Sequence, residues 1–188
     1  MQLKNLDGKT FPHRIKDVLP LDLFVALYDD LVDNWQLNNP THDDLIYGKT
    51  RSLGKFKRQF NNLHYEAATI IKYKCMKYLK CDISLERIHG NGQVKYMESC
   101  FHQDYAHDDV WTVVLFTNPT WNSEWGGEFV CQDPHTKEYH HSAYIPNNAI
   151  ICPSNWDHQG YPPNSKTDEM RTSLAFSYRA SYLKSTEI

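Results

Sequence analysis

Hydrophobic positions follow two different rhythms along this chain. In the first part the spacing is helical. Phe24, Leu27, Tyr28, Leu31 and Trp35 recur on one side of a helix and form a single apolar stripe. Pro20 suits the first turn of that helix, and Asn38-Asn39-Pro40 predicts its end near Gln36. Ala68, Ile71, Cys75 and Leu79 share a face in the same way, which predicts a second long helix over residues 62–80. The polar opening, Met1 to Lys16, reads as an extended lead-in.

Beyond Cys81 the rhythm becomes that of strands. Ile83, Leu85 and Ile88 predict one strand, Gly90-Asn91-Gly92 a turn, and Gln93 to Asp104 a second extended stretch. Val110 to Thr117 is dense in β-branched and aromatic residues and closes at Asn118-Pro119. A loop with Trp121 and Trp125 leads through Gly126-Gly127 into Glu128–Cys131. Asp133-Pro134-His135 marks a hairpin tip before Tyr139–Ile145, and Pro146-Asn147-Asn148 turns into Ala149–Cys152. A polar loop from Gln159 to Asp168 precedes a last strand, Arg171–Arg179. About eight short strands with no helix among them fit a double-sheet jelly roll, not alternating βαβ units. The expected fold is therefore mainly β, a double-stranded β-helix with the N-terminal helices packed on one sheet. One domain is expected over residues 1–188, helical over about 17–80 and with its jelly-roll core over about 83–179. Leu183 to Ile188 reads as frayed.

Composition narrows the function. The 188 residues carry a net charge of −3 and a pI near 6.3, which argues against a general polyanion binder. The five cysteines lack metal-ribbon spacing, and no apolar signal segment precedes them, so they read as reduced thiols in a cytoplasmic protein. No apolar run reaches membrane-spanning length. Residues 49–80 are basic (Lys49, Arg51, Lys55, Lys57, Arg58, Lys72, Lys74, Lys77, Lys80), either as a solvated helix face or as a docking surface for an acidic partner.

Two short stretches concentrate the chemistry. In Phe101-His102-Gln103-Asp104 an extended backbone sends His102 and Asp104 to the same side, where both can face one atom. His158, far along the chain beside Trp156, can complete three ligands on one side of a metal. Two histidines and one carboxylate with open positions opposite are the donor set of a non-haem Fe(II) oxygenase. Arg171 and Ser173, two residues apart at the start of the last strand, share a face. Arginine grips a carboxylate with two N–H groups and serine adds a hydroxyl, as the far end of a dicarboxylic co-substrate requires. His107, His140 and His141 are outside this set: His107 is expected at or near the surface, and only one of His140 and His141 can point inward.

Over residues 83–179 the chain resembles the 2-oxoglutarate and Fe(II)-dependent dioxygenases, in particular their prolyl 4-hydroxylase-like branch. The matching elements are Ile88–Gly92, His102-Gln103-Asp104, Trp125–Phe129, His158 and Arg171-Thr172-Ser173. The resemblance implies Fe(II) on His102, Asp104 and His158, with Arg171 and Ser173 on the distal carboxylate of 2-oxoglutarate. It implies Tyr96 as a further co-substrate contact, and His89 where the family often has a tyrosine. It implies O2 as oxidant, allows ascorbate, and makes a prolyl residue of a peptide or protein the first expected substrate. A small molecule or nucleobase is the alternative substrate, and a non-catalytic jelly-roll binding module the alternative class. Nucleic acid is disfavoured by the acidic pI, and Arg179 stands eight residues after Arg171, further than the nucleic-acid dealkylating branch uses. Trp121 and Trp125 are expected to line the substrate groove and Trp111 to fill core.

Overall fold

The computed structural model describes residues 10–32, 35–37, 55–57, 59–97 and 99–181, with the backbone alone at 36–37 and 55–57. Lys49, Arg51 and Arg58, the side chains of Lys55 and Lys57, the lead-in before residue 10 and the tail after 181 lie outside the described residues.

Among the described residues ten strands form two antiparallel sheets. The strands are β1 His13–Ile15, β2 Gln36–Leu37, β3 Lys55–Lys57, β4 Asp82–Gln93, β5 Val110–Phe116, β6 Phe129–Gln132, β7 Tyr139–Ser142, β8 Ala149–Pro153, β9 Asp157–Gly160 and β10 Arg171–Ser181. The larger sheet runs β1-β8-β5-β10-β4-β3-β2 and the smaller β7-β6-β9. The jelly roll thus draws on the N-terminal part as well, because β1, β2 and β3 extend the larger sheet. After residue 83 the one helical piece among the described residues is a 3-10 turn, Ser123–Trp125.

Helix α1, Leu21–Leu31, buries Leu23, Phe24, Leu27 and Leu31. It ends before the predicted Gln36. Asp29 and Asp30 crowd its last turn, where the helix dipole disfavours acids and no basic residue offsets them. Trp35, expected on the stripe, instead packs beneath Gly92 of β4. Helix α2, Asn62–Leu79, starts on a reciprocal cap between Asn61 and His64 and stops at Lys80 in a left-handed conformation. Both helices lie on the outer face of the larger sheet. Their apolar sides join Ile83, Trp111, Val113, Leu115, Ile151, Leu174, Phe176 and Tyr178 in one cluster. The Tyr178 hydroxyl donates to the Ala68 carbonyl at 2.7 Å and ties sheet to helix.

The inner face of the same sheet meets the smaller sheet. Val114, Phe116, Ile150, Cys152 and Ala175 pack against Phe129, Cys131 and Tyr144. Strand β5 is therefore buried on both faces, which is why Val110–Phe116 is a nearly unbroken apolar run without alternation. Trp111 is core, as expected.

Two sequence expectations fail in β4. Gly90-Asn91-Gly92 is not a turn: these residues pair with Leu174, Ser173 and Thr172 on one side and with β3 on the other. Gly92 serves close packing, since a Cβ there would lie 3.1 Å from the Met170 sulfur and 3.2 Å from the Trp35 ring. The stretch from Gln93 to Asp104 is not a strand. Met97 N–H closes a turn on the Val94 carbonyl at 3.1 Å, and Tyr96 sits in it at φ +67°. Leu27 is fully buried whereas Leu21 is 73% exposed. Leu27→Ala is expected to cost about 2–5 kcal/mol of stability and Leu21→Ala to stay within about 0.5 kcal/mol. Urea midpoints at equal m-values check the pair.

Candidate active site

The site begins with backbone. The segment before β5 lies along the free edge of β9 and pairs once, His102 with His158. His102 N–H donates to the His158 carbonyl at 3.1 Å, and His158 N–H returns to His102 at 2.9 Å. Asp104 N–H then bonds Ser154 O at 3.1 Å, fixing the next inward position. Side chains two apart face the same way, so His102, Asp104 and His158 converge. One ligand atom from each lies within 4.8 Å of the others.

The ring orientation is set by carbonyls. His102 Nδ1 is 3.0 Å from Cys100 O, and His158 Nδ1 is 2.9 Å from Trp156 O. A carbonyl only accepts, so each Nδ1 carries the proton and each Nε2 turns a lone pair to the site. His158 is 4% exposed, and its Nε2 lies 3.6 Å from Asp104 Oδ2. His102 sits on the rim, where loss of water around its ring, and His158 beside it, lower its pKa. Burial alone would raise the Asp104 carboxyl. The His158 ring beside it, the hydrogen bond from Thr112 and the charge of Arg87 outweigh that and hold it well below the usual carboxylate range. Thr112 Oγ1 donates to Oδ2 at 2.7 Å, and Arg87 Nη2 donates to Oδ1 at 2.7 Å.

At the far end of the inter-sheet space stands Arg171, 2% exposed. Its Nε donates to Gly127 O at 2.8 Å, and its Nη1 donates to Gln93 Oε1 at 3.2 Å and Ser173 Oγ at 3.3 Å. The rings of Phe116 and Tyr144 flank the guanidinium, with centroids 5.7 and 5.4 Å away. Burial lowers its pKa to about 10, so it is charged at neutral pH. No acidic side chain pairs with it among the described residues, and buried Nη2 has no hydrogen-bond partner. A buried cation with an unfilled donor asks for an anion, and a carboxylate fits.

Other sequence candidates fall into place around these two ends. Ser173 is buried beside Arg171. His89 lies within β4, opposite inward-facing Ala175 and not at a strand end, and is half-buried on the inner face. Tyr96 is 75% exposed and lines a surface groove of about 460 Å³ with Gly127, Tyr161 and Pro162. Its left-handed turn, not a strand, decides that placement. Trp121, expected to line the substrate groove, packs on Tyr144 at 4.6 Å, behind Arg171, on the floor of the chamber and not at the metal mouth. At that mouth Trp156 stacks on His140 at 6.4 Å. His140 is the inward member of its pair, while His141 bonds Glu128 at 2.8 Å. His107 is exposed. None of the five cysteines is in a disulfide. Arg179 is held by Asp109 at 2.8 Å and Glu86 at 3.0 Å.

The sequence reading passed over Arg87, Gln93, Thr112 and Tyr144. Thr112 alone carried a local signal, a hydroxyl amid the apolar residues of β5.

The chain matches the family described as the 2OG-Fe(II) oxygenase superfamily over residues 89–179, a stretch that includes His102, Asp104, His158 and Arg171. Over that stretch, just under half of its length, the chain is similar to the members of this superfamily. No curated protein is detectably similar in sequence. Solved structures share the fold. A Pseudomonas putida prolyl-4-hydroxylase aligns with TM-score 0.63 at 15% identity, covering 94% of this chain and 96% of that one. A Trichoplax adhaerens prolyl hydroxylase, in complex with a hypoxia inducible factor oxygen degradation domain peptide fragment, aligns with TM-score 0.61 at 18% identity, covering 93% and 86%. HygX from Streptomyces hygroscopicus, with nickel, 2-oxoglutarate and hygromycin B bound, aligns with TM-score 0.64 at 11% identity, covering 97% and 88%. Among the described residues no helix is long and apolar enough to cross a membrane.

A Cβ placed on Gly160 would stand 3.1 to 3.3 Å from the Arg171 guanidinium. Gly160→Ala is therefore expected to displace that group and weaken 2-oxoglutarate binding about tenfold, roughly 1.4 kcal/mol, with metal affinity unchanged. Calorimetric titration of each ligand checks the split.

Proposed function

We propose that this protein is an Fe(II)- and 2-oxoglutarate-dependent dioxygenase that hydroxylates an unactivated C–H bond of a peptidyl proline. The observation that carries the mechanism is the pairing of two features: three converging ligand atoms at one end of the inter-sheet chamber, and a buried, unfilled guanidinium N–H at the other. His102, Asp104 and His158 would hold Fe(II). Arg171 and Ser173 would hold the distal carboxylate of 2-oxoglutarate. Bound together, the metal and keto acid supply O2 activation and the oxidising power for C–H hydroxylation.

The protein's own groups do the rest. Arg171 meets the incoming carboxylate with a donor already desolvated and aimed, so the contact needs little reorganisation. Phe116, Tyr144 and Trp121 wall the floor and keep water from it. Gln93 holds the guanidinium from one side while its own amide donates to Gly160 O at 3.0 Å. The carbonyls of Cys100 and Trp156 take the Nδ1 protons and so present both Nε2 atoms inward. His89, on the inner face of β4, is the better placed of the two remaining co-substrate candidates; Tyr96, out on its turn, contributes at most at the surface groove.

A peptide substrate is supported by the fold likeness to two prolyl hydroxylases, one of them solved with a peptide. The rim placement of His102 agrees with it, because an exposed ligand leaves the metal open to a chain lying across the mouth. A small-molecule substrate is the second reading, favoured by the similar fold of HygX, which holds hygromycin B. Nucleic acid has less support, since Arg179 is already bound to Asp109 and Glu86 and not free for phosphate.

Incubation with Fe(II), 2-oxoglutarate, O2 and a proline-containing peptide library, read by mass spectrometry, tests the proposal. A gain of one oxygen on proline is expected, together with succinate, and Asp104→Ala should abolish both. Succinate release with no modified peptide would turn the assignment toward a small molecule. No succinate under any condition would leave a non-catalytic module.

A further inference from the structure

The Asp104 carboxylate is bonded asymmetrically. Oδ2 faces the imidazoles and takes the Thr112 hydroxyl, which is itself 2.8 Å from Ser154 Oγ. Oδ1 faces away and takes Arg87. The guanidinium also lies over the Tyr105 ring, 5.7 Å from its centroid, and Tyr105 follows the ligand in sequence. Arg87 thus grips both the carboxylate and the segment that carries it.

This grip depends on an irregularity in β4. Ser177 pairs with Arg87, but the next residue, Tyr178, pairs with Leu85, leaving Glu86 as the extra residue of a β-bulge. Without the bulge, Ile83, Leu85 and Arg87 would share one face. With it, Ile83 and Leu85 stay with the outer core and Arg87 turns inward, level with Ser177 and Thr112 across neighbouring strands. The extra residue is not idle, because the Glu86 carboxylate receives Arg179 Nε at 3.0 Å. A cation is thereby placed on the oxygen of Asp104 that the metal does not need.

We infer that Arg87 is a positioning residue that keeps Asp104 a one-oxygen ligand and so leaves a metal position free for exogenous ligands. The two oxygens of a carboxylate compete for a metal that either can reach. An arginine N–H on one of them holds that oxygen to a fixed direction and drains charge from it. If Arg87 is removed, Oδ1 is free to swing onto the metal beside Oδ2, and the second bond occupies a position that O2 or the keto acid would take. The inference rests on the metal-ligand assignment proposed above for His102, Asp104 and His158.

The test uses Co(II) as an optical probe in the full chain and azide as the exogenous ligand, both titrated without O2 by visible absorption. Wild-type protein is expected to bind Co(II) and then azide. Arg87→Met should bind Co(II) within about threefold of wild type but azide at least tenfold more weakly, about 1.4 kcal/mol. Arg87→Lys, which restores a cationic donor, should recover most of the azide affinity. Should Arg87→Met not fold, Arg87→Gln gives the same comparison, since it loses the charge. Unchanged azide affinity in the neutral variant overturns the inference. So does a parallel fall in Co(II) affinity and melting temperature with azide binding intact, which is the mark of a merely structural arginine. Wild-type protein that takes up no Co(II) overturns the ligand assignment itself, a different failure from the others.

Discussion

A pair of backbone hydrogen bonds between His102 and His158 joins the entry to the larger sheet to the edge of the smaller one. The two residues are distant in sequence, and neither lies where its own local segment would bring it near the other. Once their main chains are paired, alternation leaves little freedom. Both side chains point into the inter-sheet space, and Asp104, two residues on, follows His102. A strand edge ordinarily exposes unpaired N–H and C=O groups. Here that edge is covered by the segment that brings two of the three ligand candidates.

The chamber between the sheets is polarised along its length. One end carries Asp104, kept ionised despite its burial; the other carries Arg171, kept charged without an acidic partner. Leaving a cation in that state costs stability, and its surroundings reduce the cost only in part. Two ring faces and three oxygen acceptors solvate the guanidinium, and one nitrogen is left over. The expense is consistent with a site built for an anion that arrives and leaves. The helices have no part in this chemistry. They seal the outer face of β5, β8 and β10, so that those strands are fixed from behind while their inner faces carry the polar groups.

Local pattern served well where a single element decides the outcome. The apolar stripes of both helices, the turns at Asp133–His135 and Pro146–Asn148, and the unbroken run of β5 were legible because each follows from its own residues. It misled where a neighbour decides. Gly90-Asn91-Gly92 has turn chemistry, yet strands on both sides claim its backbone, and the missing side chain of Gly92 makes room for Trp35 and Met170. Tyr96 was placed on a strand because the residues around it allow extension, but the Val94–Met97 turn intervenes. Trp121 carries no local sign that Tyr144 would hold it behind the floor.

By itself the sequence determined the donor types and their order, His102, Asp104, His158 and then Arg171 with Ser173, and the strand-rich frame that bears them. It did so because residue identity and the two-residue alternation of a strand are local properties. Only the tertiary structure decided that the guanidinium of Arg171 lies within reach of Gly160 with one nitrogen unfilled, and that Arg87 faces the Asp104 carboxylate. The second of these turns on one extra residue in β4, skipped in its register with β10. A bulge reverses the face of everything beyond it, and hydrogen-bond register between strands is a bargain among distant segments that no single stretch of chain records.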